Sequence, residues 1–396
     1  MADLYIPGNP SIDEAIEYFG AEAMKQVQTL VSRPEFTHVR LMRDGHLGYQ
    51  SMPIGGVTVS HRYIAPGGAG FDIGCGNWAG KTEVHMSYLT RGDLYELGIE
   101  ISKKIAIGLG QAYGTFADHP LLPDIIHAVK DAHINITPEV IINQFGSVGA
   151  GNHYIDLMTD SEGYIWIALH YGSRKLGHTI ADHYLKMLGA NDGMFSMPVF
   201  LDTWSMVGQE YLRLMELAGE YARVSRRLVG TKIATQILQD TVVDVVENHH
   251  NYIWQEVHHG EAVYVTRKGA TPVHPGVRAF IGGSMGTDSI IVEAIDCDEN
   301  NKTFRSAMHG AGRTISRGMA KGKFTRSGEM KRAPLVTKEM MNGWMNTEGI
   351  IRIGGGVDES PHCYRNLIED VLPYYPHLKV KEILSPVVVI MNPDEH

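Results

Sequence analysis

The 396-residue chain has little cysteine: only Cys75, Cys297 and Cys363. That excludes a disulfide scaffold and fits a reducing, cytoplasmic setting. No apolar run approaches the ~18 residues of a membrane helix, so no membrane partner is expected. Met1 to Pro10 lacks a basic n-region and an apolar h-region, which argues against a secretory leader. Positive charge is also scarce. Lys+Arg number 35 against 45 Asp+Glu, for a net charge of −10. A protein that coats nucleic acid with its whole surface would be basic, so a polyanion here needs a local patch or bound metal. No internal repeat, low-complexity tract or Pro/Ser-rich linker divides the chain. What is present is a 43% hydrophobic content, enough for a sizeable core, and 20 histidines, several beside glycines.

Length alone suggests two or three domains, or one large one. The glycine- and histidine-rich segments run from His46 to Arg317. If they meet at one site, residues 1–396 form one interwoven α+β domain with a β core, surrounding helices and a helical segment near 179–250. Ser11 to Arg33 reads as a helix, with Ser11 and Glu14 at capping-box spacing. Arg91 to Leu109 reads as another, with Thr90 as N-cap. Helices are also expected over Thr179–Leu188, Trp204–Leu228 and Lys232–Asn248. Tyr154–Met158, Tyr164–Leu169 and Val387–Ile390 read as strands, and Val263–Val292 as strand and turn.

Six segments hold chemistry. In Gly70 to Asn77, Asp72 and Cys75 stand three apart among glycines, a spacing that lets carboxylate and thiolate face one metal ion or simply forms a tight turn around a buried thiol. In Gly146 to Asp156, glycines able to approach a phosphate precede Asn152, His153 and Asp156. His170 to His178 follows an apolar strand, with Arg174 placed to bind an oxyanion and His178 as a second ligand or a plain helix residue. His249-His250 reads as a helix C-terminal pair, of which one imidazole at most would reach a given metal. Gly282 to Ser289 is a small-residue, hydroxyl-rich loop suited to phosphate or sugar, or a plain turn. His309 to Arg317 puts a histidine before a glycine turn, with Arg313 and Arg317 four apart. That histidine has the chemistry of a nucleophile, base or ligand. Lys321, Lys323, Arg326, Lys331 and Arg332 follow, the densest basic stretch in the chain and a path for nucleic acid. Together these segments point to metal-assisted phosphoryl or nucleotidyl transfer.

In these segments the chain resembles the RtcB family of RNA ligases. Asp44 to Gly48, Thr266 to Ala270 and Gly283 to Gly286 carry the likeness as well, and the order agrees from about Asp44 to the C-terminal end. The resemblance implies an α+β fold of the family's own, two manganese ions and GTP. The RNA partner would bear a 3′-phosphate or 2′,3′-cyclic phosphate on one end and a 5′-hydroxyl on the other. His309 would attack the α-phosphorus of GTP to give a histidine–GMP intermediate. The GMP would pass to the RNA 3′-phosphate, and the 5′-hydroxyl would expel it. Cys75 would bridge two metals, with Asp72 and His153 completing one site, and His170 and His250 the other. Asn152, Asp156, Ser284, Ser289, Gly310 and Gly312 would contact GTP. Arg174, Arg313 and Arg317 would suit phosphate. The resemblance also implies RNA repair or tRNA splicing as the setting and admits archease as an activating partner.

The chain also departs from the family pattern. Gly282 stands where proline is usual, Asp156 where glutamate is usual, and Tyr171 and Met308 where serines are usual. A terminal Lys-Gly, whose lysine contacts guanine in the family, is replaced by Met391-Asn392-Pro393. These departures motivate an alternative: a metal-dependent phosphoesterase that opens cyclic phosphates without nucleotidyl transfer.

Overall fold

A computed structural model of the chain describes residues 1–191, 193–325 and 330–393. The architecture is α+β, built on two main sheets. The larger has eight strands. Along its path lie Arg278–Ile281, Ser289–Ala294, Leu378–Met391, Tyr154–Thr159, Tyr164–Tyr171, Gly76–His85 and Val242–His249, with Ile351–Ile353 pairing in parallel to Leu378–Met391. The smaller has five, in the order Asp3–Tyr5, His38–His46, Ile54–Ser60, Glu261–Lys268 and Asn251–His258. Val242–His249 ends one sheet and Asn251–His258 ends the other, so His250 sits at the joint between them.

The hairpin Tyr154–Thr159/Tyr164–Tyr171 lies mid-sheet and is buried on both faces, which explains its near-continuous apolar run from Ile165 to Leu169. The 28-residue helix Met206–Ile233 packs on this sheet. Gly230 gives the Trp78 ring the room a side chain would take.

Several sequence expectations shift. The expected helix over 11–33 is two helices, Ile12–Phe19 and Ala21–Val31, because Gly20 takes a left-handed φ of 87° that ends the first. Its capping box is present as expected: the Ser11 hydroxyl accepts the Glu14 N–H, and the Glu14 carboxylate accepts the Ser11 N–H at 2.7 Å. The helix from Arg91 ends at Lys104, and the one expected from Thr179 starts at Arg174. The expected helix over 232–248 is wrong for most of its length. The long helix ends at Ile233, a five-residue π turn follows, and Val242–His249 is a strand. Its four β-branched valines pair with Gly76–His85, and tertiary pairing overrides the apparent helical spacing. Arg326, in the basic stretch, lies outside the described residues. Among the described residues no helix is long and apolar enough to cross a membrane.

Candidate active site

A cavity of about 810 Å³ opens where the two sheets meet, within the range that takes nucleotide-sized ligands. The register of the larger sheet assembles its floor. Gly76 pairs with both Tyr171 and His249, Asn77 pairs with His170, and Tyr154 pairs with His170. Strands lie ~4.8 Å apart. Residues at or beside these positions, Cys75, His153, His170 and His250, therefore come together at one edge although up to 175 positions separate them in sequence.

The Cys75 Sγ lies 3.7 Å from His153 Nε2 and 3.6 Å from His170 Nε2. These three donor atoms fall within 4.8 Å of one another. Asp72 Oδ2 accepts from His153 Nε2 at 2.9 Å. The His250 ring stands 5.0 Å from that of His170 and 4.9 Å from that of His309. The tautomer of His170 is set from outside: its Nδ1–H donates to Asn77 Oδ1 at 2.8 Å, while the Asn77 amide N–H donates to the Phe280 carbonyl. That leaves the Nε2 lone pair facing Cys75, the arrangement of a metal-ligating imidazole held by an outer partner. Burial pushes the pKa values of His170 and His250 well below the ordinary range, with neighbouring imidazoles adding to the shift. Both rings are thus neutral, as ligands must be. Burial, then the Asp72 charge, pushes the Cys75 thiol up. Burial opposes ionisation of Asp72, but the His153 hydrogen bond holds its carboxyl below the ordinary range. The His153 and His250 Nδ1 atoms are buried without a hydrogen-bond partner. A soft-to-borderline donor set of thiol, imidazole and carboxylate gathered this closely fits a divalent transition metal.

His309 follows the short strand Ser306–Met308 and faces the same cavity. Its Nδ1 lies 2.5 Å from Asp44 Oδ2. The same oxygen accepts the backbone N–H of His309 at 2.9 Å and of Gly310 at 3.2 Å. A carboxylate can only accept, so Nδ1 carries a proton, and in the neutral ring the lone pair is on Nε2. Gly312 permits this fit: at φ 79°, a Cβ there would lie 2.6 Å from the Asp44 Cα. Asp44 belongs to the Asp44–Gly48 segment that carries the family likeness, but nothing in its sequence position gives it this partner.

The remaining expected residues divide. Asn152, Asp156, Ser284, Gly310 and Gly312 line the cavity. Asp156 is buried with Oδ1 unpartnered, and burial raises its pKa well above the carboxylate range. The Ser284 hydroxyl stands 3.1 Å from Thr287 Oγ1. Ser289 does not face the cavity; its hydroxyl accepts the Gly283 N–H at 2.9 Å and so shapes the loop. Arg313 lines the cavity, yet its guanidinium is engaged by the Asp358 carbonyl at 2.7 Å and the Glu359 carboxylate at 3.0 Å. Arg317 pairs with Asp358 at 2.8 Å and with Glu359. Arg174, at a left-handed φ of 58°, donates to the Gly108 carbonyl at 3.1 Å, and its charge helps hold Asp72 ionised. His178 lies outside the cluster, within the helix Arg174–Met187 and stacked on Phe71. Met285, Val389 and Met391 give the cavity an apolar wall.

Four further residues complete the arrangement. Asp358 and Glu359 brace the two arginines. Arg226, fully buried on the long helix, donates to the Gly74 carbonyl at 2.9 Å and the Tyr171 carbonyl at 2.5 Å, tying together the loops before Cys75 and after His170. Lys268 is buried at the cavity wall, where burial lowers its pKa to about 7. No sequence signal singles out Arg226 or the Asp358-Glu359 pair.

Comparison with known proteins agrees with this geometry. The model of the family described as "tRNA-splicing ligase RtcB" matches residues 26–131 and 124–391. The chain is 31% identical over 339 residues to an RNA-splicing ligase RtcB1 of Escherichia coli strain ATCC 25922, covering 77% of this chain and 81% of that protein. An RNA-splicing ligase RtcB of Escherichia coli K12 gives the same identity and coverage. A tRNA-splicing ligase RtcB of Thermococcus kodakarensis is 28% identical over 79% of this chain and 80% of its own length. With the matched segments spanning nearly all of its sequence and both sheets of its fold, the chain belongs to the RtcB family.

Proposed function

We infer that this protein is an RNA ligase that uses GTP and two manganese ions to join a 3′-phosphate or 2′,3′-cyclic phosphate end to a 5′-hydroxyl end. The observation that carries the reading is His309: its Nδ1–H is held by Asp44, its Nε2 is free, and its ring stands against His250 at the edge of the thiol–imidazole cluster. Asp72, Cys75, His153, His170 and His250 would hold the metal. Bound there, metal supplies charge neutralisation for the phosphates and the leaving pyrophosphate. His309 Nε2 attacks the α-phosphorus, a P–N bond forms, and the P–O bond to pyrophosphate breaks. As the ring becomes cationic, the Asp44 carboxylate stabilises it and fixes its orientation. The GMP then passes to the RNA 3′-phosphate, and the 5′-hydroxyl displaces it. Asn152, Asp156, Ser284 and the Gly310–Gly312 turn line the nucleotide's share of the cavity. The site draws on residues from Asp44 to Arg317, so residues 1–396 act as one unit.

The test is intact mass after incubation with GTP and manganese, beside His309→Ala. A GMP-sized increase that the substitution removes is expected. An adduct with ATP in place of GTP would assign altered base choice to the wall that holds Met391. No adduct with any nucleotide, together with opening of cyclic phosphates, would replace this reading with the phosphoesterase.

A further inference from the structure

The mouth of the cavity has a second wall that nucleotide transfer leaves unused. Phe19, Leu47, Tyr49 and Met194 line it. Tyr49 is 48% exposed, and Phe195, next to Met194, is 42% exposed. Their backbone is nonetheless pinned. Gln50 and Ser51 N–H groups donate to the Gly193 and Met194 carbonyls at 3.1 and 2.9 Å. The fully buried Gln26 amide donates to the Gly48 and Met194 carbonyls at 2.6 Å each and accepts the Gly48 N–H at 3.0 Å. The result is an ordered ledge whose rings stay in solvent rather than joining the core. Lys25 places its ammonium 5.1 Å from the Phe195 ring centroid. Lys268 joins the ledge to the reacting centre: its Nζ donates to the Tyr49 carbonyl at 2.6 Å, and its neighbour Gly269 lies against the His309 ring.

Exposed, fixed aromatics beside a cation form the surface on which unpaired bases stack, since every base has a π-face and every linkage a phosphate. Its continuity with the cavity favours the strand whose end must reach His309 over a protein ligand. We propose that Tyr49 and Phe195 form a stacking platform for the terminal unpaired bases of the RNA, with Lys25 meeting its backbone phosphate. This rests on the ligase reading. Stacking is sequence-tolerant, which suits an enzyme that meets broken ends of varied sequence.

The test uses the full chain and a short RNA with a 3′-phosphate and 2-aminopurine at its terminal positions, without GTP. Stacking quenches the fluorophore, and anisotropy gives the Kd. We expect Tyr49→Ala and Phe195→Ala each to relieve quenching and weaken binding about tenfold, the scale of one lost base–aromatic stack. Phe195→Trp should restore both. Lys25→Glu, on an exposed helix face, should weaken binding with little effect on folding and flatten its salt dependence. Unchanged quenching and Kd in the alanine variants, at wild-type melting temperature, would overturn the proposal and leave the ledge to a protein partner. The GMP adduct is read separately. Its absence in the wild type would count against the ligase reading, whereas its persistence with unchanged RNA binding would count against the platform alone.

Discussion

At the scale of single residues, the site works by holding protons in place. Asp44 turns His309 so that one ring nitrogen donates and the other is free. Asp44→Asn keeps an acceptor but removes the charge that steadies the imidazolium. Adduct formation should slow by on the order of 10²-fold, read in single turnover by intact mass with melting temperature as control. A rate equal to wild type would remove Asp44 from the mechanism. Asn77 plays the corresponding part for His170. Asn77→Leu should weaken manganese binding roughly 10- to 100-fold by calorimetric titration. Retained affinity would mean that His170 needs no outer partner. The likeness to the family named His309 and His170, but the residues that set their tautomers lie 265 and 93 positions away in sequence, and no local spacing reports such pairs.

Secondary elements show where local signals win and lose. The Ser11 and Thr90 caps form as read, because capping is decided within four residues. Val242–His249 departs from the helical reading because its partner strand, Gly76–His85, is remote in sequence. The hairpin Asn251–His258/Glu261–Lys268 carries a separate buried network. Arg267, fully buried, pairs with Glu256 at 2.6 Å, and His258 stands 2.6 Å from the same carboxylate. Burial raises the Glu256 pKa, but the Arg267 charge and the hydrogen bonds from His258 and Arg267 together outweigh it and hold the value at about 2, against an ordinary 4.5. A depressed carboxyl stabilises the fold fully above pH about 4.5 and loses that contribution as pH falls toward about 2. Glu256→Gln should therefore cost roughly 3–5 kcal/mol at pH 7, as a broken buried pair does. The gap in melting temperature should narrow steadily below pH about 4.5. A gap that stays constant into acid would show that the ion pair is not its source. Gly149 adds a steric test within the loop before Tyr154–Thr159. A Cβ there would meet the His153 ring and the Arg174 guanidinium, so Gly149→Ala should reduce metal affinity while leaving the sheet intact by circular dichroism. Unchanged affinity would show that His153 has room to move.

At the scale of the whole molecule, the site exists because two sheets meet at His250 and a long helix reaches under the joint. Arg226 is that helix's contribution, a buried cation that satisfies two carbonyls on either side of the thiol–imidazole cluster. Arg226→Met should cost on the order of 3 kcal/mol and scatter Cys75 and His170, lowering metal binding and melting temperature together. A variant that melts early yet binds metal normally would confine Arg226 to stability. What the sequence by itself determined is the chemistry on offer and the class of fold. Thiol, carboxylate, imidazoles and glycine turns are properties of residue types in short windows, and apolar periodicity is local. Which imidazoles gather around Cys75, which carboxylate turns His309, that Ser289 shapes its loop rather than facing the cavity, and that Arg313 is already engaged by Asp358 and Glu359 were decided only by tertiary structure. Each depends on strand register and sheet junctions between residues far apart in sequence, where the energy of a contact carries no signature in either partner's neighbours.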